Sequence, residues 1–448
     1  MSIQSLKSLS EQAVNLASDL GASGCDIIAA KGSSFSLSAQ QEKIDKFKVS
    51  SSNVMGIRII KDNRIGLSYT EAVDDEAISK MVHKAVEVSQ YSGEDEYQNI
   101  EVEKGEFVEN NPDLYQSDDT ETDSKLDLAL ALESEIKKGG PKVKNAPYNG
   151  YADGESEVLY LNHLGRSCYH KERSFSCYTT ALTEHDGRQA MYGYSMMSRQ
   201  FKDLKPGLCA EEALRFALPL LEGRSVPTGK YDLIFAPDEL NQLFGCFLSV
   251  FSAKSAMEGK NKFRDQLGKS VADSRITIFD RPKYDGGFYY SSFDDEGVPR
   301  QDLCLVQGGE LKSFYHNTAT ANYFDTKTTA HGARSPKGPL GVSGTHLVFD
   351  TGHDSNDQVQ SGRYIKVIGL KGLHSGTNAI SGQFSLAIDG ILMNGNEVEQ
   401  YVRDVTISGN FFSLLNQVES IGNTLEENTG KSFFAPLIKF GGISVAGA

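Results

Sequence analysis

Residues 365–415 read IKVIGLKGLHSGTNAISGQFSLAIDGILMNGNEVEQYVRDVTISGNFFSLL. An apolar run, 365–370, leads into Gly372, His374, Ser375, Gly376, Thr377 and Asn378. Two further strands are expected, over 383–388 and 397–407, with Asp389-Gly390 and Asn394-Gly395 between them. Both dipeptides tolerate positive φ and close tight turns. A helix is expected to start near Phe411. Polar atoms between strands, with glycines that let backbone come close, describe a site wall. The same pattern also describes a turn-rich antiparallel sheet in which Gly and Asn only serve geometry. The residues alone leave both readings open.

Upstream of this stretch, residues 231–236 read as a strand. Pro237 then opens a helix with Asp238 and Glu239 in its first turn, where negative charge meets the positive end of the helix dipole. Leu240, Leu243, Phe244, Phe247 and Val250 make that helix apolar on most of its circumference. Short strands are expected at 274–279, 287–291, 304–307 and 310–315, with turns at 293–297 and 307–310.

The N-terminal half alternates differently. Leu6, Leu9, Val14, Leu16, Ala17 and Leu20 keep a helical period that ends at Gly21 and Gly24. Strands follow at 25–30, 35–39, 49–54, 54–60 and 65–69. Asp74 or Asp75 can cap a helix through Ile78, Met81, Val82, Ala85 and Val88. Acidic residues dominate 92–124, a solvated connection. A helix at 125–137, strands over 148–198 and a helix at 208–221 complete this half. The order describes an α+β protein of two domains. Residues 1–225 form a mixed domain of helices and antiparallel sheet; residues 226–448 form a larger β-rich domain.

The 448 residues suit two domains. Sixty acidic against 45 basic residues give a formal charge of -15. Such a balance argues against a surface built for nucleic-acid phosphates or anionic lipid. The amphipathic N-terminus lacks the apolar core and cleavage pattern of a signal peptide. The longest weakly apolar window, 243–253, is too short to span a bilayer. A cytoplasmic protein with no membrane contact is expected. Six dispersed cysteines without a C-x-x-C pair fit reduced thiols.

None of the nine histidines lies in H-E-x-x-H or an equivalent spacing. His346 and His353, with Asp350 and Asp354 nearby, can be read as a metal cluster or as ordinary loop polarity. Cys304 with His374, Ser375 and Asn378 can be read as a thiol site, though nothing in the sequence fixes their geometry. Asp294, Asp295 and Glu296 are adjacent, which suits a solvated turn better than paired catalytic carboxylates. G-x-S-x-G, P-loop and Rossmann patterns are absent. Enzyme and non-catalytic binding protein both stay open on these grounds.

A resemblance narrows them. Gly369-Leu370 with His374-Ser375-Gly376-Thr377-Asn378, then Ile380-Ser381-Gly382-Gln383-Phe384-Ser385, Gly390, Asn394-Gly395 and Val405-Thr406-Ile407-Ser408-Gly409-Asn410, resemble the C-terminal part of the TldD/PmbA family. That family is also called peptidase U62 and modulator of DNA gyrase. Phe293-Asp294-Asp295-Glu296-Gly297-Val298-Pro299 resembles its D-x-E-G turn, and Gly309-Glu310-Leu311 to Ala319-Thr320-Ala321 the segment after it. Asn162-His163-Leu164-Gly165 sits where relatives carry an Asn-Ser-x-Gly-like turn.

The TldD-like branch carries H-E-x-x-x-H on the helix that opens its C-terminal domain, with a later cysteine as a further zinc ligand. Here that helix, 237–250, contains no histidine, and its carboxylates Asp238 and Glu239 precede the motif window. The chain therefore resembles the PmbA, or TldE, branch. The resemblance implies a non-catalytic subunit of a two-chain metalloprotease acting on unfolded peptides, with zinc only in a TldD-like partner and no cofactor in this chain. It also implies a cavity with His374, Ser375, Asn378, Gln383 and Asn394 as lining residues. Two alternatives remain. One is a homodimeric peptide-binding or scaffold protein. The other is a hydrolase with an unusual site, drawn from His346, Asp350 and His353 or from Cys304 and His374. The gyrase label carries no expectation of DNA contact.

Overall fold

The structure, a computed structural model, describes residues 3–102, 105, 108, 109 and 111–447. Helix α1 (Ile3–Asp19) buries Leu6, Ala13, Val14 and Ala17, one stripe of the helical period. Strands β1 (Gly24–Gln40), β2 (Lys43–Lys61) and β3 (Arg64–Thr70) form an antiparallel meander. Helix α2 (Asp75–Ser89) packs back on it through Ile78, Met81, Val82 and Ala85. Asp74 caps α2 by accepting the Ala77 N–H at 2.9 Å, which satisfies one of the donors a helix start leaves over.

After β4 (Val108–Glu109) come α3 (Thr122–Lys137), β5 (Val143–Asn145), β6 (Gly150–Asn162), β7 (Ser167–His185), β8 (Arg188–Ser198) and α4 (Pro206–Leu220). The first sheet runs in the order β3-β2-β1-β6-β7-β4, with β5 and β8 also on β7. The strands expected at 49–54 and 54–60 are one strand, β2. Its ladder with β1 continues through Ser33↔Ser51 and Gly32↔Ser52. Ser51 and Ser52 are exposed. Backbone pairing rather than apolar alternation carries the strand there, so the periodicity fades where the strand does not.

The second half begins with β9 (Gly229–Phe235) and α5 (Pro237–Phe247), followed by a 3-10 turn over Leu248–Phe251 and by α6 (Ala253–Met257). Next come β10 (Ile278–Asp280), β11 (Leu303–Gln307), β12 (Glu310–Leu311), α7 (Thr318–Tyr323) and the small pair β13 (Gly332–Ala333) and β14 (Gly341–Val342). Strands β15 (Leu347–Phe349), β16 (Arg363–Lys371), β17 (Gln383–Asn394), β18 (Glu397–Asn410), β19 (Val418–Glu427) and β20 (Phe433–Ala446) complete the chain. The sheet order is β12-β11-β10-β15-β20-β18-β17-β16-β9, and β20 also pairs with β9. Strands β9, β16, β17, β18 and β20 therefore close into a ring, which removes the open edges among them. Among the described residues, no helix is long and apolar enough to cross a membrane.

Two expectations for this half are corrected. Asp389-Gly390 is not a turn: β17 runs straight through it, with a register shift between Ile388 and Gly390. A Cβ at Gly390 would lie 2.9 Å from the Ile365 side chain and 3.0 Å from the Lys366 carbonyl oxygen. The glycine thus serves close strand packing. Asn394-Gly395 does turn the chain, with Gly395 at φ 59. Residues 287–291 are irregular rather than a strand, and the Tyr289 N–H is given to a histidine ring nitrogen instead of to a ladder.

Candidate functional site

The resemblance places the zinc motif of the TldD-like branch on the helix equivalent to α5. Leu240, Leu243, Phe244 and Phe247 turn inward. Phe247 stacks on Phe411 at 4.5 Å and 13°, and Phe244 meets Phe349 and Phe411 edge-on. These rings fix the helix to β15 and to the short helical turn Phe411–Leu414 that follows β18. Its other face carries Asn241, Gln242, Gly245 and Cys246. The Cys246 thiol donates to the Gln242 carbonyl at 3.4 Å.

In the first turn, Asp238 accepts the Thr429 hydroxyl at 2.8 Å and the Thr429 N–H at 3.1 Å. Burial pushes its carboxyl above the usual range against those bonds. Glu239 is 6% exposed. Burial, reinforced by Asp238, pushes it up to about 8. These are two carboxyls, one amide pair and one thiol, with no imidazole. Among the described residues, no group of three or more His, Cys, Asp or Glu side chains is placed to hold a metal ion. The donor set does not fit zinc.

The residues singled out from the sequence are scattered. His374 and Ser375 lie on a short exposed helical turn, Leu373–Gly376. Asn378 is exposed, and its side-chain oxygen accepts the Ile380 and Ser381 N–H groups. Gln383 and Asn394 are exposed at opposite ends of the 12-residue β17. The loop therefore gathers His374, Ser375 and Asn378 near one end of β17 and leaves Asn394 at the other.

His346 is fully buried. Its Nδ1 donates to the Arg281 carbonyl at 2.8 Å, and its Nε2 accepts the Tyr289 N–H at 3.0 Å. Both ring nitrogens are therefore committed to backbone. His353 is exposed, and Asp350 lies 3.9 Å from Arg281. Cys304 is half-buried, its thiol directed at the Val306 carbonyl and raised by burial.

The D-x-E-G turn corrects a further expectation: it is not solvated. Asp294 is 1% and Glu296 2% exposed. Asp294 accepts the N–H groups of Glu296, Val298 and Gly332 at 2.8–3.0 Å, which shapes the turn and ties it to β13. Glu296 accepts the Thr318 N–H at 2.8 Å and meets Arg58 at 3.3 Å. Arg58, on β2, also grips Asp26 of β1, and Asp26 in turn binds Arg334 from the second half. Burial, with Glu296 beside it, pushes the Asp294 carboxyl up to about 7. This buried seam clamps the two halves together. Sequence reasoning missed Asp26, Arg58 and Arg334. The available signal was a charge inside each of two apolar runs, Asp26 near the start of β1 and Arg58 within β2.

Family models for PmbA/TldA metallopeptidases match three segments: domain 1 at residues 25–89, the central domain at 115–221 and the C-terminal domain at 228–447. The chain belongs to the PmbA/TldD metallopeptidase family. Metalloprotease PmbA of Escherichia coli O157:H7 is 22% identical over 430 residues, covering 95% of this chain and 93% of that protein. A metalloprotease of Methanocaldococcus jannaschii is 23% identical, covering 89% of each. In fold, the chain is similar to TldE from Thermococcus kodakarensis, with a TM-score of 0.87 and 20% identity over 98% of this chain and 100% of that one.

Proposed function

We propose that this chain is a PmbA/TldE-type subunit of a two-chain peptidase for unfolded peptides. In this reading it holds no zinc, works in the cytoplasm, and leaves the metal and the general base to a TldD-type partner. The outer face of α5 carries the reading. Asn241, Gln242, Gly245 and Cys246 offer amides and one thiol already engaged with backbone. Zinc-dependent hydrolysis needs nitrogen or thiolate ligands that leave an open position, together with a base for the bound water. A role in proteolysis is supported by the family and by relatives named as metalloproteases.

The test combines this chain with a TldD-type protein carrying H-E-x-x-x-H, each purified alone and then mixed. Expected are a complex on size exclusion, zinc that follows the partner, and cleavage of an unfolded casein only by the mixture. Stoichiometric zinc and cleavage by this chain alone would overturn the reading, as would the absence of both complex and enhanced cleavage.

A further inference from the structure

Strand β2 is longer than the neighbour that covers it. Its ladder with β1 runs from Lys43 to Ile60, but β3 pairs with it only over Met55–Lys61. Among the described residues, no other strand, bridge or backbone hydrogen bond meets its outer edge over residues 43–54. These residues read KIDKFKVSSSNV, without a proline. Such an edge presents a row of unpaired N–H and C=O groups, a template for one more strand.

The edge has two distinct faces, because successive side chains of a strand point to opposite sides. Lys46 and Lys48 lie on one, opposite Ser38 and Ser36 of β1. Phe47 and Val49 lie on the other, opposite Leu37 and Phe35. Phe47 is 56% and Val49 65% exposed, although Phe47 meets the Phe35 ring edge-on at 5.1 Å. Lys43, Lys46 and Lys48 are exposed and make no ion pair among the described residues. Asp45, the single acid of the segment, accepts the Ser38 hydroxyl at 3.5 Å. Three lysines against one aspartate stand out in a chain whose formal charge is -15. Like charges opposite each other destabilise a strand pair. The lysines therefore disfavour pairing of this edge with a second copy of itself and favour a strand of opposite sign.

At the Val54 end, where β3 stops, the edge continues into a groove of about 790 Å³. Ser51, Ser52 and Asn53 of β2 line it together with Lys31, Glu71 and Lys337. Its acids are already matched: Glu71 with Lys337, Glu155 with Arg173, and Glu157 with Lys171. Lys31 is exposed and has no ion pair among the described residues.

We propose that the open edge of β2 over residues 43–54 takes up an extended peptide segment as an added strand, one in which acidic residues alternate with apolar ones. Its backbone completes the ladder, its acids face Lys46 and Lys48, and its apolar side chains cover Phe47 and Val49. The proposal concerns this chain alone and needs neither a partner subunit nor zinc, so its failure leaves the peptidase reading standing.

Binding to the purified full chain is followed by fluorescence anisotropy of labelled eight-residue peptides at low ionic strength. One alternates valine with glutamate, one valine with lysine, and one proline with glutamate. Saturable binding of the valine–glutamate peptide is expected, with the valine–lysine peptide weaker by about tenfold or more. The proline–glutamate peptide keeps the charge but lacks half of the ladder donors, and is expected to bind weakly as well. The double variant Lys46→Glu, Lys48→Glu should reverse the preference between the first two peptides. Both lysines are exposed, and an unchanged urea midpoint shows that the variant is folded. Amide hydrogen exchange of the peptide-saturated chain should slow over residues 43–54. The proposal is overturned if no peptide binds, if the proline–glutamate peptide binds as well as the valine–glutamate one, or if the folded variant keeps the parent's preference. Protection confined to another segment overturns it too, as does a free chain that is already dimeric with residues 43–54 protected, which assigns the edge to a second copy.

Discussion

Asp26 accepts a hydrogen bond from Nη2 of Arg334, 308 residues further along the chain, and both side chains are sealed from solvent. The same carboxylate holds Arg58. One acid therefore ties a guanidinium from each half of the chain. Breaking a buried pair leaves an uncompensated charge behind, which typically costs about 3–5 kcal/mol. Asp26→Asn is expected to lower urea-unfolding stability by that amount. Arg334→Met should cost a similar amount alone, and much less in the Asp26→Asn background. Additive losses in that double-mutant cycle would show that the pair does not couple.

Gly56 on β2 marks the same contact between the halves. A Cβ there would lie 1.7 Å from the Pro336 carbonyl oxygen. Gly56→Ala must displace the 335–337 segment and part Lys337 from Glu71. The expected cost is about 1–3 kcal/mol, as for other overpacked sites, with faster tryptic cleavage after Lys337. Gly245 on α5 is the contrast, since a Cβ there meets nothing within 4 Å. Gly245→Ala should stabilise by up to about 1 kcal/mol. Thermal melts of the two variants moving in the same direction would contradict this account.

Much of this architecture is legible in the sequence, for local reasons. The α2 stripe and its Asp74 cap, and the Pro237 start of α5, are written within a few residues of one another. The missing histidines on α5 are likewise a local fact. What could not be read is non-local. The Asp294-Asp295-Glu296 run looks solvated because three acids stand together; its burial depends on N–H donors from Thr318 and Gly332 and on Arg58. His346 resembles a ligand until its ring is seen between the backbones of Arg281 and Tyr289. Asp389-Gly390 has the composition of a turn, and only the approach of Ile365 explains why the strand passes through it.

The aromatic clamp on α5 makes its own prediction. Phe247 is fully buried and stacked on Phe411. Phe247→Ala removes that contact and leaves a cavity, at a cost of about 3–5 kcal/mol. Phe247→Leu keeps most of the volume and should lose much less. Equal urea midpoints for the two variants would show that the ring contributes nothing specific.

Glu239 gives the pH prediction. Its folded carboxyl titrates at about 8, whereas an ordinary glutamate has a value near 4.5. Between those two values the unfolded chain has lost a proton that the folded chain keeps. Stability therefore falls as pH rises across that window and levels off above it. Asp294, pushed up to about 7, adds a slope of the same sign. Asp280 works the other way. Burial opposes its ionisation, but the bonds and charge of His331 and Thr345 outweigh burial and hold it below the usual range. Its contribution is present above the ordinary aspartate value and is lost as pH falls through the folded one. Glu239→Gln removes the first effect. Relative to the parent, the variant should gain on the order of 3–5 kcal/mol at pH 8.5 and little at pH 4.5. Urea midpoints taken across that range give the measurement. Parallel curves for parent and variant would mean that Glu239 does not carry the slope.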